Sequence, residues 1–193
     1  MRIVAGLPEN QRSRAAALYW EAFGPKLRVP LGPREKGLAF VERVLRPDHA
    51  ISALDRDGRL IGVAGFKTTE GAFVGGDFRD LVAVFGRGGA LWRGLLGWML
   101  ERDVDNRRFL MDGLFVDAGA RGQGVGTALL DALCEEAARR GYREIRLDVI
   151  DTNTRARALY ERYGFRPFKT EHLGPLRFVF GFRSATAMAL RLG

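Results

Sequence analysis

Gly122, Gly124 and Gly126 stand at alternate positions between the apolar run Leu114-Phe115-Val116 and the helix-forming run Thr127-Ala128-Leu129-Leu130. Strand, turn, glycine loop and helix start, in that order, make an anion-binding architecture. Glycine has no Cβ, so a ligand can approach the backbone closely, and the free N–H groups of a helix's first turn point out of it. The helix dipole adds roughly half a positive charge at the same end. A pyrophosphate suits such a loop. A P-loop is excluded, because Gly126 is followed by Thr127-Ala128 without the required lysine. A dinucleotide fingerprint needs G-x-G-x-x-G in a βαβ unit, whereas these glycines run G-x-G-x-G late in the chain. Taken alone, the loop also reads as a tight turn that binds nothing.

The elements that position this loop follow from periodicity and punctuation. A strand is expected from Arg108 to Val116, a helix from Gly124 to about Arg140, and a strand over Glu144–Ile150, with Gly141 as the helix stop. Asp151-Thr152-Asn153 opens a further helix that ends near Tyr163, and Gly164 closes it. A final strand pair is expected at Pro167–Glu171 and Ala185–Arg191. Upstream, a strand over Arg2–Ala5 precedes a helix from about Glu9 to Phe23, which Gly24-Pro25 should stop. Lys26–Gly32 then reads as a loop before a helix over Arg34–Leu45. His49–Leu54 and Leu60–Lys67 read as antiparallel neighbours joined at Asp57-Gly58. Between Thr68 and Asn106, helices are expected around Phe78–Phe85 and Ala90–Arg102.

Composition bounds the rest. The 193 residues, 47% hydrophobic and 28% charged, suffice for one core without disulfides or a structural metal. The net charge of +8 comes mainly from scattered arginines, with no helix-turn-helix, zinc-finger or RNA-binding signature, so a nucleic-acid partner is not expected. The apolar stretch Leu81–Leu100 is interrupted by Arg87, Arg93 and several glycines and fails as a membrane span, and Met1–Gly6 does not lead into a signal pattern. Cys134, the one cysteine, sits among helix formers and reads as a packed thiol in a cytoplasmic protein. Two histidines and one cysteine cannot assemble a common zinc site, so no metal is expected.

A second stretch accompanies the glycine loop. Leu147-Asp148-Val149 is followed by Asn153, Ala156, Leu159, Tyr160, Gly164 and Phe165. Together with Arg121-Gly122-Gln123-Gly124-Val125-Gly126 and the strand residues Leu114 and Val116, this resembles the two linked signatures of the GCN5-related N-acetyltransferase (GNAT) family. The resemblance is specific over Leu114–Phe165 and looser outside. It implies an α+β fold: a mixed, largely antiparallel central sheet flanked by helices, splayed between its fourth and fifth strands, here Arg108–Val116 and Glu144–Ile150. It also implies one domain over 1–193, with acceptor-site walls in 1–107, an acetyl-CoA-binding core in 108–166 and a strand pair in 167–193. The cofactor-binding residues it implies are Leu114, Phe115, Val116, Arg121, Gly122, Gln123, Gly124, Val125, Gly126, Thr127 and Asn153, with acetyl-CoA as co-substrate.

Acyl transfer from a thioester to an amine requires a neutral amine, donors for the developing oxyanion and a proton for the departing thiolate. The resemblance implies that backbone near Phe115 and Val116 pairs with pantetheine and points an N–H at the thioester carbonyl. It places Tyr160 as the acid for the leaving group, with a core tyrosine as the plain alternative and Tyr163 as the spare. Asn153 suits a pantetheine amide or a helix N-cap. Asp112 is the carboxylate named as base, ahead of Glu21, Asp77 and Asp80. The segment Asp77–Arg102 is longer than the simplest family pattern; Phe85, Leu91, Trp92, Leu95, Trp98 and Met99 could line a pocket, pack as core or form a homodimer face. The expected activity is N-acetyl transfer to a primary amine on a small molecule or peptide, directly and without a covalent intermediate. A domain that holds acyl-CoA without turning it over is the alternative.

Overall fold

A computed structural model describes residues 1–100 and 109–193, and the side chains of 95–100, 176 and 179 are outside the description. Arg102 and Arg108, where the sequence predicts element ends, therefore lie outside the described residues, as do the side chains of Leu95, Trp98 and Met99. In chain order the elements are β1 (Arg2–Ala5), α1 (Arg12–Leu31), α2 (Arg34–Val44), β2 (Ala50–Leu54), β3 (Leu60–Thr68), β4 (Gly71–Ala72), α3 (Phe78–Leu100), β5 (Phe109–Val116), α4 (Val125–Arg139), β6 (Glu144–Ile150), α5 (Thr154–Tyr163), β7 (Arg166–His172), α6 (Arg177–Phe180) and β8 (Ser184–Arg191). Among the described residues the strands form one mixed sheet in the order β1-β2-β3-β5-β6-β8-β7, with β4 paired to β3. The architecture is α+β. Because β4 is an additional two-residue strand, the splay expected between the fourth and fifth strands falls between β5 and β6.

One cluster packs α4 against the sheet through Leu129, Leu130 and Leu133, which meet Phe66, Phe109, Ile145 and Leu147. Another packs Ala15, Leu18, Trp20 and Val41 of α1 and α2 against Leu60, Val63, Phe73 and Phe115. Buried apolar side chains on both faces explain why β3 reads as a nearly unbroken hydrophobic run.

The parallel pair β5–β6 is joined only at Phe109↔Ile145, Leu110↔Arg146 and Met111↔Leu147. Beyond Met111, β5 stays with β3 as far as Gly62↔Val116, while β6 stays with β8 as far as Ile150↔Ala185. The two strands thus part at one end. A β-bulge sits where they part: the β3–β5 register jumps from Gly65↔Gly113 to Phe66↔Met111, leaving Asp112 as the extra residue. One inserted residue reverses which face the following side chains take. Phe109 and Met111 accordingly join the α4 cluster, while Phe115, on the same parity in sequence, joins the α1 cluster.

Helix α1 departs from expectation. It does not stop at Gly24-Pro25 but continues to Leu31 with Pro25 and Pro30 inside it. Each proline withholds an N–H from the carbonyl four residues earlier. Tertiary packing overrides that loss: Leu27 and Leu31 pack on the α1–α2 cluster, and Gly24 lies so close to Trp20 that a Cβ there would stand 3.2 Å from the indole nitrogen. Helix α3 is two helical pieces meeting at Gly86, whose φ of 71° breaks the run near the expected gap. The short strand β4 and the segment Gly174–Phe180 were not foreseen. No helix among the described residues is long and apolar enough to cross a membrane.

Candidate active site

The gap between β5 and β6 opens into a cleft of about 780 Å³, inside the range of roughly 300–1,000 Å³ typical of small-ligand sites. At one end lies the glycine loop. Gly122 and Gly124 have φ of 77° and 80°, left-handed values that favour glycine, and a Cβ at either would meet no protein atom within 4 Å. Space is therefore left on the side where a ligand would sit. Gly126 serves differently: a Cβ there would approach Leu159 to 3.1 Å, so its bareness lets α5 pack close to α4. No side chain caps α4 at Gly124, and its first-turn N–H groups have no intrahelical partners.

The loop is braced by its own side chains. Arg121 Nε donates to the Val116 carbonyl at 3.1 Å, and Gln123 Nε2 donates to the Gly119 carbonyl at 2.8 Å. Asp117 accepts the Gly119 N–H at 2.9 Å and pairs with Arg14, and chiefly that N–H, aided by the guanidinium, holds its carboxyl below the usual range. Arg121 and Gln123 thus act on the loop's shape, with Arg121 also in the cleft lining. Val125, buried in the core, and Thr127, exposed at the helix start, also reach the cleft.

Leu114, Phe115 and Val116 form the β5 wall. Alternate backbone groups along a strand point to opposite sides, so those that would have paired with β6 open into the gap. Asn153 caps α5, its Oδ1 accepting the Ala156 N–H at 3.3 Å, and it also lines the cleft, its amide N–H groups making no hydrogen bond among the described residues. The N-cap and ligand readings of this residue are compatible in one geometry.

Tyr160 lines the same cleft with its side chain 5% exposed and its ring 5.8 Å from that of Phe165. Its hydroxyl has no hydrogen-bond partner among the described residues. Burial raises the phenol well above its ordinary pKa, so the group is a neutral donor throughout the physiological range. Tyr163 turns away: its hydroxyl donates to Asp131 Oδ1 at 2.7 Å and contacts Cys134 Sγ at 3.6 Å. Burial pushes the Cys134 thiol up, consistent with a packed rather than reactive group.

Asp112 stands at the far end of the cleft, on the bulge. Solvent reaches its carboxylate through the cleft, but protein surrounds its other sides, and that loss of hydration raises its pKa. The Val74 N–H, donated at 3.3 Å, and the charges of Lys67 and Lys26 oppose the rise without cancelling it. Of the other carboxylates, Glu21 lines the cleft, whereas Asp77 and Asp80 fix the start of α3, with Asp80 bound to Arg43 at 2.7 Å. His49 is buried beside Thr68 and Asp48, and His172 lies on exposed β7. Among the described residues no cluster of three or more His, Cys, Asp or Glu is placed to hold a metal. A shallower hollow of about 420 Å³ near β1, lined by residues such as Val4, Leu7 and Pro47, gathers no comparable groups.

A family model for the acetyltransferase (GNAT) family matches residues 13–165, most of the chain. The chain belongs to the GNAT acetyltransferase family. Among curated relatives, a mycothiol acetyltransferase from Beutenbergia cavernae is 48% identical over 54 residues, which are 28% of this chain and 18% of that protein. An N-acetyltransferase from Staphylococcus aureus Mu50 shares the fold, with a TM-score of 0.68 at 14% identity over 98% of this chain and all of the other. A putative streptothricin acetyltransferase from Bacillus anthracis str. Ames, solved in complex with acetyl coenzyme A, aligns with a TM-score of 0.52 at 17% identity over 75% of this chain and 62% of that one.

Several cleft residues escaped the sequence analysis. Phe23, Pro25 and Lys26 reach the wall because α1 runs on past its apparent stop. Phe180, Gly181 and Phe182 arrive from the end of the one-turn helix α6 and the residues after it, a connection too short to show a period in the sequence. Arg155 and Arg162, seven apart on α5 and so on one face, also line the cleft. Their charge beside an anion cradle was the signal available in the sequence.

Proposed function

We propose that this chain moves an acetyl or other short acyl group from acetyl-CoA directly to a primary amine on a small molecule or peptide. The observation that carries the reading is the continuity of one cleft, which the glycine cradle, the β5 backbone that leaves β6, Asp112 and Tyr160 line together. The residues present fit the coenzyme. The open space over Gly122 and Gly124 with uncapped N–H groups beneath suits a pyrophosphate, and the splay suits an extended amide-bearing arm. Acetyl-CoA supplies the activated acyl group as a thioester.

The chain's own groups supply the rest. Outward N–H groups of β5 near Phe115 and Val116 are fixed by pairing to β3, so they can meet a developing oxyanion without reorganising. Asp112, with its raised pKa, is a better base than an ordinary surface aspartate and takes the proton of the attacking amine. Tyr160 gives a proton to the leaving sulfur, and Asn153 holds an amide of the coenzyme arm. Direct transfer is favoured because the thiol of Cys134, on α4, is engaged with Tyr163 of α5 and is not part of the cleft lining.

Steady-state kinetics with acetyl-CoA and a panel of primary amines, followed by thiol release, test the reading. Intersecting double-reciprocal lines are expected for direct transfer. Parallel lines with an isolable acyl-enzyme would refute that mechanism, and release of thiol with no amine in the panel would refute the acceptor class.

A further inference from the structure

Lys26 is a cation that the coenzyme site leaves unused. It follows Pro25 on the stretch of α1 that lines the cleft, and its Nζ stands 4.5 Å from the Phe23 ring centroid. The Phe23 ring is itself seated on bare backbone, since a Cβ at Gly113 would come within 2.9 Å of it. Among the described residues Lys26 makes no hydrogen bond or ion pair. Burial lowers its pKa, and the negative charge of Asp112 offsets that only in part. An ammonium with three donors, drawn partly out of water and left unpaired in a cleft, marks a place for an anionic ligand group.

Asp112 and Lys26 act on each other electrostatically but are not closed into an ion pair. The gap between them is what an occupant carrying both charges would fill. A plain diamine would set a second cation against Lys26. A dicarboxylate would set its second anion against Glu21, which lines the same wall, or against Asp112 itself. A molecule with one amine and one nearby carboxylate satisfies both groups.

We propose that the acceptor is a zwitterionic amine of the amino-acid class, with its amine directed to Asp112 and its carboxylate held by Lys26. This rests on the acetyl-transfer reading above. The amine nitrogen adds to the thioester carbonyl, forming the N–C bond as Asp112 takes the amine proton, and the C–S bond then breaks as the leaving sulfur gains a proton from Tyr160. Lys26 takes part in none of these bonds and determines specificity.

The test compares kcat/KM for matched pairs, free amino acids and their carboxamides, in the wild type, Lys26→Met and Lys26→Glu, with thiol release as the readout. Methionine keeps an unbranched stem over Phe23, and unfolding midpoints verify that both variants fold. The wild type is expected to prefer the acids by about tenfold to hundredfold, the range of a hydrogen bond to a charged group. K26M brings the ratio near one, and K26E inverts it. Equal use of acid and amide by the wild type, or an equal loss on both in K26M, overturns the proposal. Failure of every acid and amide to react also overturns it. A CoA-dependent rise in the unfolding midpoint then shows separately that the coenzyme reading survives.

Discussion

Replacing Tyr160 with phenylalanine removes one oxygen and leaves the ring in place. Tyr160 is 5% exposed and its ring packs on Phe165, so the ring's apolar burial is unchanged by the substitution. The hydroxyl makes no hydrogen bond among the described residues, so none is lost. A stability change of about 0.5 kcal/mol or less follows, which at roughly 2–4 °C per kcal/mol for a domain of this size moves the midpoint by about 1–2 °C. The rate is another matter. A positioned general acid contributes about 10²–10⁴. A thiol is a fair leaving group, with an ordinary pKa near 8.5, so the low end applies: kcat should fall about 10²-fold, or roughly 2.7 kcal/mol in the barrier. Burial makes the phenol a weaker acid but keeps it protonated, and the same dry surroundings raise the basicity of the departing thiolate. The KM for acetyl-CoA should change little. Thiol release at saturating substrates, with thermal unfolding alongside, is the assay. A kcat within about twofold of wild type at an unchanged midpoint would remove Tyr160 from the acid's role and return it to the core.

Further outcomes follow from the same geometry. Asp112 has a raised folded-state pKa, so the folded protein favours its protonated form. That contribution is fully present below the ordinary carboxylate pKa and is lost as pH rises through the raised one. Asp112→Asn should therefore unfold at a higher temperature than wild type near neutrality, with the difference vanishing in acid. It should also lose the ascending limb of the pH profile of kcat/KM; a limb that persists in D112N would assign the base elsewhere. Gly124→Ala forces a Cβ into φ 80°, at a cost of about 1–2 kcal/mol, and should raise the KM for acetyl-CoA. Gly126→Ala lies within α4, gains helix propensity and asks Leu159 for a shift of tenths of an ångström, so its midpoint should stay near that of wild type. Equal effects of the two in unfolding and kinetics would contradict the assigned difference between these glycines.

The middle of the chain was legible because local signals there agree with tertiary structure. Glu144–Ile150 is a strand as expected, α4 and α5 lie within a residue of their expected ends, and Asn153 and Gly164 cap α5 as residues of their type should. The acceptor side was not legible, for three physical reasons. Gly24-Pro25 is a strong local stop, yet packing of Leu27 and Leu31 carries α1 through it and brings Lys26 to the cleft. The bulge at Asp112 shows only in the partner strand's register, so the reversal that sends Phe115 to the α1 face is invisible in alternation. Phe180 and Phe182 come from a stretch whose path is set by contacts with α1 rather than by its own period.

The Gly122–Gly126 loop and the cleft between β5 and β6 are proposed to hold a CoA thioester. Thermal unfolding with acetyl-CoA, CoA, ATP and NAD tests it most directly, because a ligand of the folded state raises the midpoint by mass action. At about one hundred times the Kd the stabilisation is about 2.7 kcal/mol, a rise of roughly 5–11 °C. That rise is expected with acetyl-CoA and CoA, and a negligible one with ATP and NAD. No shift with either CoA species, or equal shifts with all four ligands, would contradict it.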